Sequence, residues 1–191
     1  MAALEIVRIG EPVLRAVAEP VDEAELEAPG FQGFLDDLVE TMRAANGAGL
    51  AAPQVGVAKR VFCVEVHDNP RYPYKPDLEL RVLVNPVVRP LSDETFSSYE
   101  GCLSVPDLRG RLSRFLEVEV MYTDSAGRRV VEEIRGLSAG TFQHEQDHLD
   151  GILFVDRVED TRTLTTWEGF RRQHEAAYAA EARAIVERWG S

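Results

Sequence analysis

The segment that most constrains this chain is Gln143-His144-Glu145-Gln146-Asp147-His148, an H-E-x-x-H pattern. Residues 137–149 read as a helix, and Asp150-Gly151 ends it. Two residues four apart on a helix lie about 40° apart around its axis and roughly one turn along it. His144 and His148 can therefore grip one metal ion from the same face. Glu145 sits on the flank of that face, within reach of a proton on an activated water. The combination implies metal-assisted hydrolysis.

A catalytic metal usually takes a third protein ligand and keeps one open position. Downstream candidates of the right chemical kind are Glu168, His174 and Glu175, all in a polar segment where a solvated face is the ordinary expectation. The stronger candidate lies upstream. Cys102 sits in Tyr99-Glu100-Gly101-Cys102-Leu103-Ser104-Val105-Pro106, between conformational specialists. A thiolate there would favour soft or borderline ions such as Fe²⁺, Zn²⁺ or Ni²⁺. A buried structural thiol is the competing reading. Gln54 follows the small-residue run Gly47–Pro53, and its amide could donate to a developing oxyanion. Arg109 and Arg114 are expected to make surface pairs with acidic neighbours.

Composition narrows the classes. The 191 residues suffice for a hydrophobic core in one domain, or two small ones, without disulfide staples. The net charge of −12 disfavours direct nucleic-acid binding. No apolar run approaches the ~20 residues that span a membrane, and the N-terminal segment lacks a secretory pattern. Two cysteines point to free thiols and a cytoplasmic setting, with Cys63 a core residue in Val61-Phe62-Cys63-Val64.

The periodicity predicts a helix over 31–45, with Phe31, Phe34, Leu35, Leu38, Val39 and Met42 on one stripe and Asn46-Gly47 as its stop. Strands are expected over 60–66, 80–88 and 115–122, the last with a hairpin partner at 129–134. Residues 67–80 and 89–98 read as loop and connection, and a last helix covers about 163–189. Strands grouped before the metal-bearing helix give an α+β class, with antiparallel or mixed sheets packed around that central helix.

The segments 47–54 (GAGLAAPQ), 100–104 (EGCLS) and 143–148 (QHEQDH) together resemble the three signature motifs of the peptide deformylases, in that family's order. The flanks His148–Arg157 and Asn69–Pro73 resemble it too, and the likeness covers roughly residues 4–160. It implies a single catalytic domain over 1–191 that removes the formyl group from the N-terminal methionine of nascent proteins. It also implies one divalent ion per chain, Fe²⁺ natively, with Zn²⁺, Ni²⁺ or Co²⁺ as substitutes. The ligands would be Cys102, His144 and His148, and Glu145 the general base. The side chain of Gln54 and the backbone N–H of Leu103 would stabilise the oxyanion. Gly49 and Gly101 would pair with the peptide backbone, and Ala48 would line an apolar methionine pocket. The runner-up is an H-E-x-x-H metallopeptidase with a downstream third ligand. Transient ribosome contact through the C-terminal helix is a further expectation, although that helix is nearly neutral.

Overall fold

The computed structural model describes residues 3–190, in an α+β arrangement. After a 3₁₀ turn at Pro12–Arg15 come α1 (Glu23–Glu27) and α2 (Pro29–Ala44). Pro29 occupies the first turn of α2, where its missing N–H costs nothing. Asn46 just past its end adopts φ of 51°, the left-handed conformation that asparagine tolerates.

Five strands form one antiparallel sheet in the order β1 (Gly49–Ala51), β2 (Val61–Val66), β3 (Leu78–Pro90), β6 (Glu117–Thr123), β7 (Arg129–Arg135). β2 is buried on both faces, which explains its unbroken apolar run. Val61 and Cys63 pack with Leu38 and Met42 of α2 on one side. Phe62, Val64 and Val66 pack on the other side against α3 (Gly136–Leu149), where Phe142 meets Phe62 edge-on with centroids 6.1 Å apart. α3 is therefore a central helix, buried around most of its circumference. Gly151 closes it at φ of 72°, and a Cβ there would come within 2.8 Å of the Arg15 carbonyl carbon.

The second sheet is the hairpin β4 (Thr95–Cys102) and β5 (Val105–Phe115), with the two-residue β8 (Thr165–Thr166) on its edge. Sequence periodicity gave no sign of this hairpin, because both strands carry buried polar groups where alternation would put apolar ones. Ser98, Glu100, Arg109 and Arg114 are all buried. The ladder shifts register between Gly101 and Cys102, so the site residues sit at an irregularity in the strand.

The helix expected over about 163–189 is two helices, α4 (Trp167–Gln173) and α5 (Glu175–Trp189), broken at His174. Their inner side is apolar. Phe170, Tyr178 and Ala182 join Tyr74, Phe96, Tyr99 and Leu137 in one buried cluster.

Candidate active site

Three separate segments converge on one cavity. α3 supplies His144 and Glu145 one turn from Gly140 and Thr141, β4 supplies Glu100, Gly101 and Cys102, and the loop around β1 supplies Gly47, Ala48, Gly49 and Gln54. Leu103 lies in the turn joining β4 to β5, also on the cavity wall. His148 stands behind, with Nε2 3.3 Å from Cys102 Sγ. The ligand atoms of Cys102, His144 and His148 all lie within 4.8 Å of one another, the one such group found among the described residues. Glu168, His174 and Glu175 do not join it. His174 instead stacks on Tyr99, with ring centroids 5.6 Å apart.

The donor set fits a borderline divalent ion. One thiol and two imidazoles are the ligands such ions prefer. His144 Nδ1 is held 2.8 Å from Glu100 Oε2, which leaves Nε2 for the cluster and gives the ring the carboxylate support usual for metal-bound histidines. Burial, reinforced by the neighbouring His144, pulls His148 well below its ordinary pKa, so its ring is neutral and has a lone pair to offer.

Glu100 is one link in a buried chain of charges. Arg114 holds both its oxygens at 2.8 and 2.9 Å and reaches Asp147 at 2.7 Å, and Arg157 grips Asp147 at 2.6 Å. Burial alone would raise the Glu100 carboxyl, but the Arg114 charge and the bonds from Arg114 and His144 hold it well below the carboxylate range. The surface reading of Arg109 and Arg114 is thereby corrected: they are 0% and 3% exposed. Arg114 braces the His144 support. Arg109 donates to the Tyr99 carbonyl and the Tyr74 hydroxyl, and its guanidinium lies 4.0 Å from the Phe170 ring centre and 4.3 Å from that of Trp167. Stacking on aromatics is how a guanidinium, weakly hydrated and planar, tolerates burial without a carboxylate.

Glu145 is 3% exposed, and its Oε2 is buried without a hydrogen-bond partner. Burial raises its carboxyl to about 7, against the opposing pull of His144 and Lys75. A carboxylate poised near neutral pH suits a group that accepts and then returns a proton. Gln54 is fixed by the Ala51 N–H, which donates to Oε1 at 2.8 Å. Because that backbone group can only donate, the amide orientation is determined, and Nε2 points to Cys102 Sγ at 3.4 Å and Ser104 Oγ at 3.2 Å.

The rest of the cavity departs from the expected apolar pocket. Ala48 and Leu137 line it, but so do Tyr72, Tyr74, Tyr99, Tyr178 and Lys75. Lys75 is half-buried in a proline-rich loop, and desolvation lowers its ammonium to about 8, although Glu100 and Glu145 favour its charge. Glu100 and Asp147 lie within the EGCLS and QHEQDH segments, but Lys75 and Arg114 carried no motif, and nothing short of the fold brings those two to the site.

A family model described as polypeptide deformylase matches residues 3–163. Among curated relatives, peptide deformylase 2 of Nostoc sp. is 41% identical over 168 residues, covering 88% of this chain and 93% of that one. Peptide deformylase 1 of Prochlorococcus marinus is 40% identical over 192 residues, covering 100% and 97%. Among solved structures, a class I type b peptide deformylase from Acinetobacter baumannii with Met-Ala-Ser bound superposes with a TM-score of 0.79 at 42% identity, covering 82% of this chain and 99% of that one. A peptide deformylase from Synechococcus elongatus in complex with actinonin gives 0.74 at 34% identity, covering 92% and 88%.

Proposed function

This chain belongs to the peptide deformylase family, and we propose that it hydrolyses the terminal formamide of formyl-methionine peptides at the cluster of Cys102, His144 and His148. The observation that carries the assignment is the convergence of those three ligand atoms with the buried Glu145 carboxylate and the Gln54 amide on one cavity. The metallopeptidase reading loses its basis, since the upstream thiol and not a downstream carboxylate completes the ligand group.

A divalent ion held by Cys102, His144 and His148 supplies Lewis-acid activation of water. The remaining roles fall to the chain itself. Glu145 takes a proton from the attacking water, and the water oxygen bonds to the formyl carbon. The Gln54 Nε2 and the Leu103 N–H donate to the carbonyl oxygen as it gains negative charge. When the carbon–nitrogen bond breaks, Glu145 returns its proton to the departing amine, and formate leaves. The backbones of Gly49 and Gly101 pair with the peptide in this reading, and Ala48 lines the side-chain cavity.

We assign Fe²⁺ as the native ion on the family resemblance; the thiolate and imidazole donors suit it and equally suit Zn²⁺, Ni²⁺ or Co²⁺ as substitutes. Residues 1–191 act as one catalytic unit in this reading, supported by the shared core of Tyr99, Leu137, Phe170 and Tyr178. The substrates are nascent chains in the cytoplasm; no helix among the described residues is long and apolar enough to cross a membrane. Ribosome contact would use the outer side of α5, where Arg183 and Arg188 are exposed. Salt-sensitive co-sedimentation with ribosomes, lost in an Arg183→Glu/Arg188→Glu variant, tests that contact.

The activity itself is tested by incubating the metal-loaded protein with formyl-Met-Ala-Ser and identifying products by mass spectrometry. Formate and intact Met-Ala-Ser are expected. Cleavage at an internal peptide bond would refute the reading.

A further inference from the structure

The cavity at the metal-ligand cluster is lined by Leu137 and Thr141 of α3 and by Tyr74, Lys75 and Tyr178. A substrate whose formamide sits at Cys102 and His144 carries its first side chain one carbon from the amide nitrogen. In the deformylase reading, that side chain would enter the cavity that Lys75 also lines.

A half-buried ammonium is out of place in a pocket for a thioether alone. Lys75 Nζ donates to Thr141 Oγ1 at 2.6 Å and stands 5.1 Å from the Tyr72 ring centre. No ion pair is recorded for it among the described residues. Enclosing a charge without a carboxylate in contact is costly, and an apolar residue here would serve methionine as well. An ammonium has three N–H donors, and Thr141 accepts one of them.

We propose that Lys75 is a specificity-determining residue whose ammonium, aligned by Thr141, donates a hydrogen bond to a neutral oxygen at the end of the substrate's first side chain. The side chain of that class with methionine's reach is methionine sulfoxide. A neutral acceptor is favoured over a carboxylate because Glu100 and Glu145 line the same cavity and would repel an anion. The Tyr72 and Tyr74 rings flank the same space and suit the sulfur-bearing stem of either oxidation state. The chemistry is unchanged: water adds to the formyl carbon, the carbon–nitrogen bond breaks, and the sulfoxide leaves as it entered. The inference rests on the deformylase reading and specifies its substrate range.

The test compares kcat/KM for formyl-Met-Ala-Ser and its methionine sulfoxide counterpart in the metal-loaded wild type, Lys75→Met and Thr141→Val. The wild type is expected to accept the sulfoxide within about threefold of the thioether. Lys75→Met should lower the sulfoxide-to-thioether ratio at least tenfold, about 1.4 kcal/mol, mainly through the KM of the sulfoxide. Thr141→Val, which removes the aligning acceptor and keeps the side-chain shape, should lower the ratio in the same direction. Calorimetric binding of the product Met-Ala-Ser and its sulfoxide supplies a readout independent of turnover, with the affinity for the sulfoxide relative to the thioether falling in Lys75→Met. A wild type that rejects the sulfoxide more than a hundredfold, or variants that leave the ratio unchanged, would overturn the proposal while leaving the deformylase reading intact. Failure to release formate from either peptide would overturn both.

Discussion

Gly49 and Glu145 are in such close apposition that a Cβ on the glycine would fall 2.7 Å from Glu145 Cγ. Glycine at this position is therefore a condition for the carboxylate's placement. Gly49→Ala should push Glu145 off its position, and a displacement of about 1 Å at a reacting group costs on the order of a hundredfold in rate. Steady-state kinetics with metal analysis checks this: kcat/KM falls about that far while metal content stays at the wild-type level. Loss of the metal instead would mean that Gly49 supports the ligand cluster and not the base.

The Glu100–Arg114–Asp147 chain makes a different prediction. Arg114 is almost fully buried between two carboxylates, so its removal leaves Glu100 in the interior without its guanidinium, while Asp147 keeps Arg157. Arg114→Ala should destabilise the fold by about 3–5 kcal/mol, visible in chemical denaturation. It should also weaken metal affinity, because His144 loses the bracing of Glu100. A stability within about 1 kcal/mol of wild type would show the chain to be dispensable.

Lys75 gives the pH dependence. Its ammonium titrates at about 8, pulled down by burial. The charges felt there are Glu100 on β4, Glu145 on α3, and Arg109 and Arg114 on β5, with the phenols of Tyr72, Tyr74, Tyr99 and Tyr178 around the same cavity. The folded state releases this proton near 8, whereas the unfolded chain holds it to about 10.4. Between those values the unfolded state binds more protons, so this group makes the protein more stable as pH rises from about 8. Denaturation of wild type against Lys75→Met should show the wild type gaining on the variant over that window. The wild-type sulfoxide-to-thioether ratio of kcat/KM should fall over the same rise, as the ammonium becomes a neutral amine. A difference between the two proteins that is flat with pH would contradict both statements.

A thiolate beside a redox-active ion is a vulnerable arrangement, since the ion can be oxidised and the cysteine can climb from thiolate to sulfenic acid and beyond. The Fe²⁺ form should therefore lose activity in air, and the Ni²⁺ form should persist. Equal decay of the two forms, followed by formate release over time, would count against this account.

The parts of the molecule legible in the sequence were those governed by short-range periodicity. α2, β2 and α3 each present an apolar pattern or a motif whose spacing matches the element it forms. His144, Glu145 and His148 were legible because four-residue spacing on a helix is itself a geometric statement. Cys102 and Gln54 stood out as candidates by their glycine- and proline-bearing settings, but the choice over a structural thiol and an ordinary glutamine came from likeness to a family, since one thiol and one amide carry no pattern. The β4–β5 hairpin was not legible, because Glu100, Arg109 and Arg114 occupy buried strand positions and interrupt the alternation that marks a strand. Arg109 and Arg114 read as surface charges for a good reason: burial of a charge becomes tolerable only through partners that lie far away in sequence. Lys75 and Tyr178 face one cavity across about half the chain's length, a relationship that only tertiary folding creates.

The central claim is that one ion held by Cys102, His144 and His148 makes this chain a deformylase. Titrating Ni²⁺ into metal-free protein while recording formate release from formyl-Met-Ala-Ser tests it most directly. Activity should climb linearly and level off at one ion per chain in the wild type, and should not appear in Cys102→Ala at the same ion concentrations. A plateau at a different stoichiometry, or a Cys102→Ala protein that binds the ion and releases formate as the wild type does, would contradict the account.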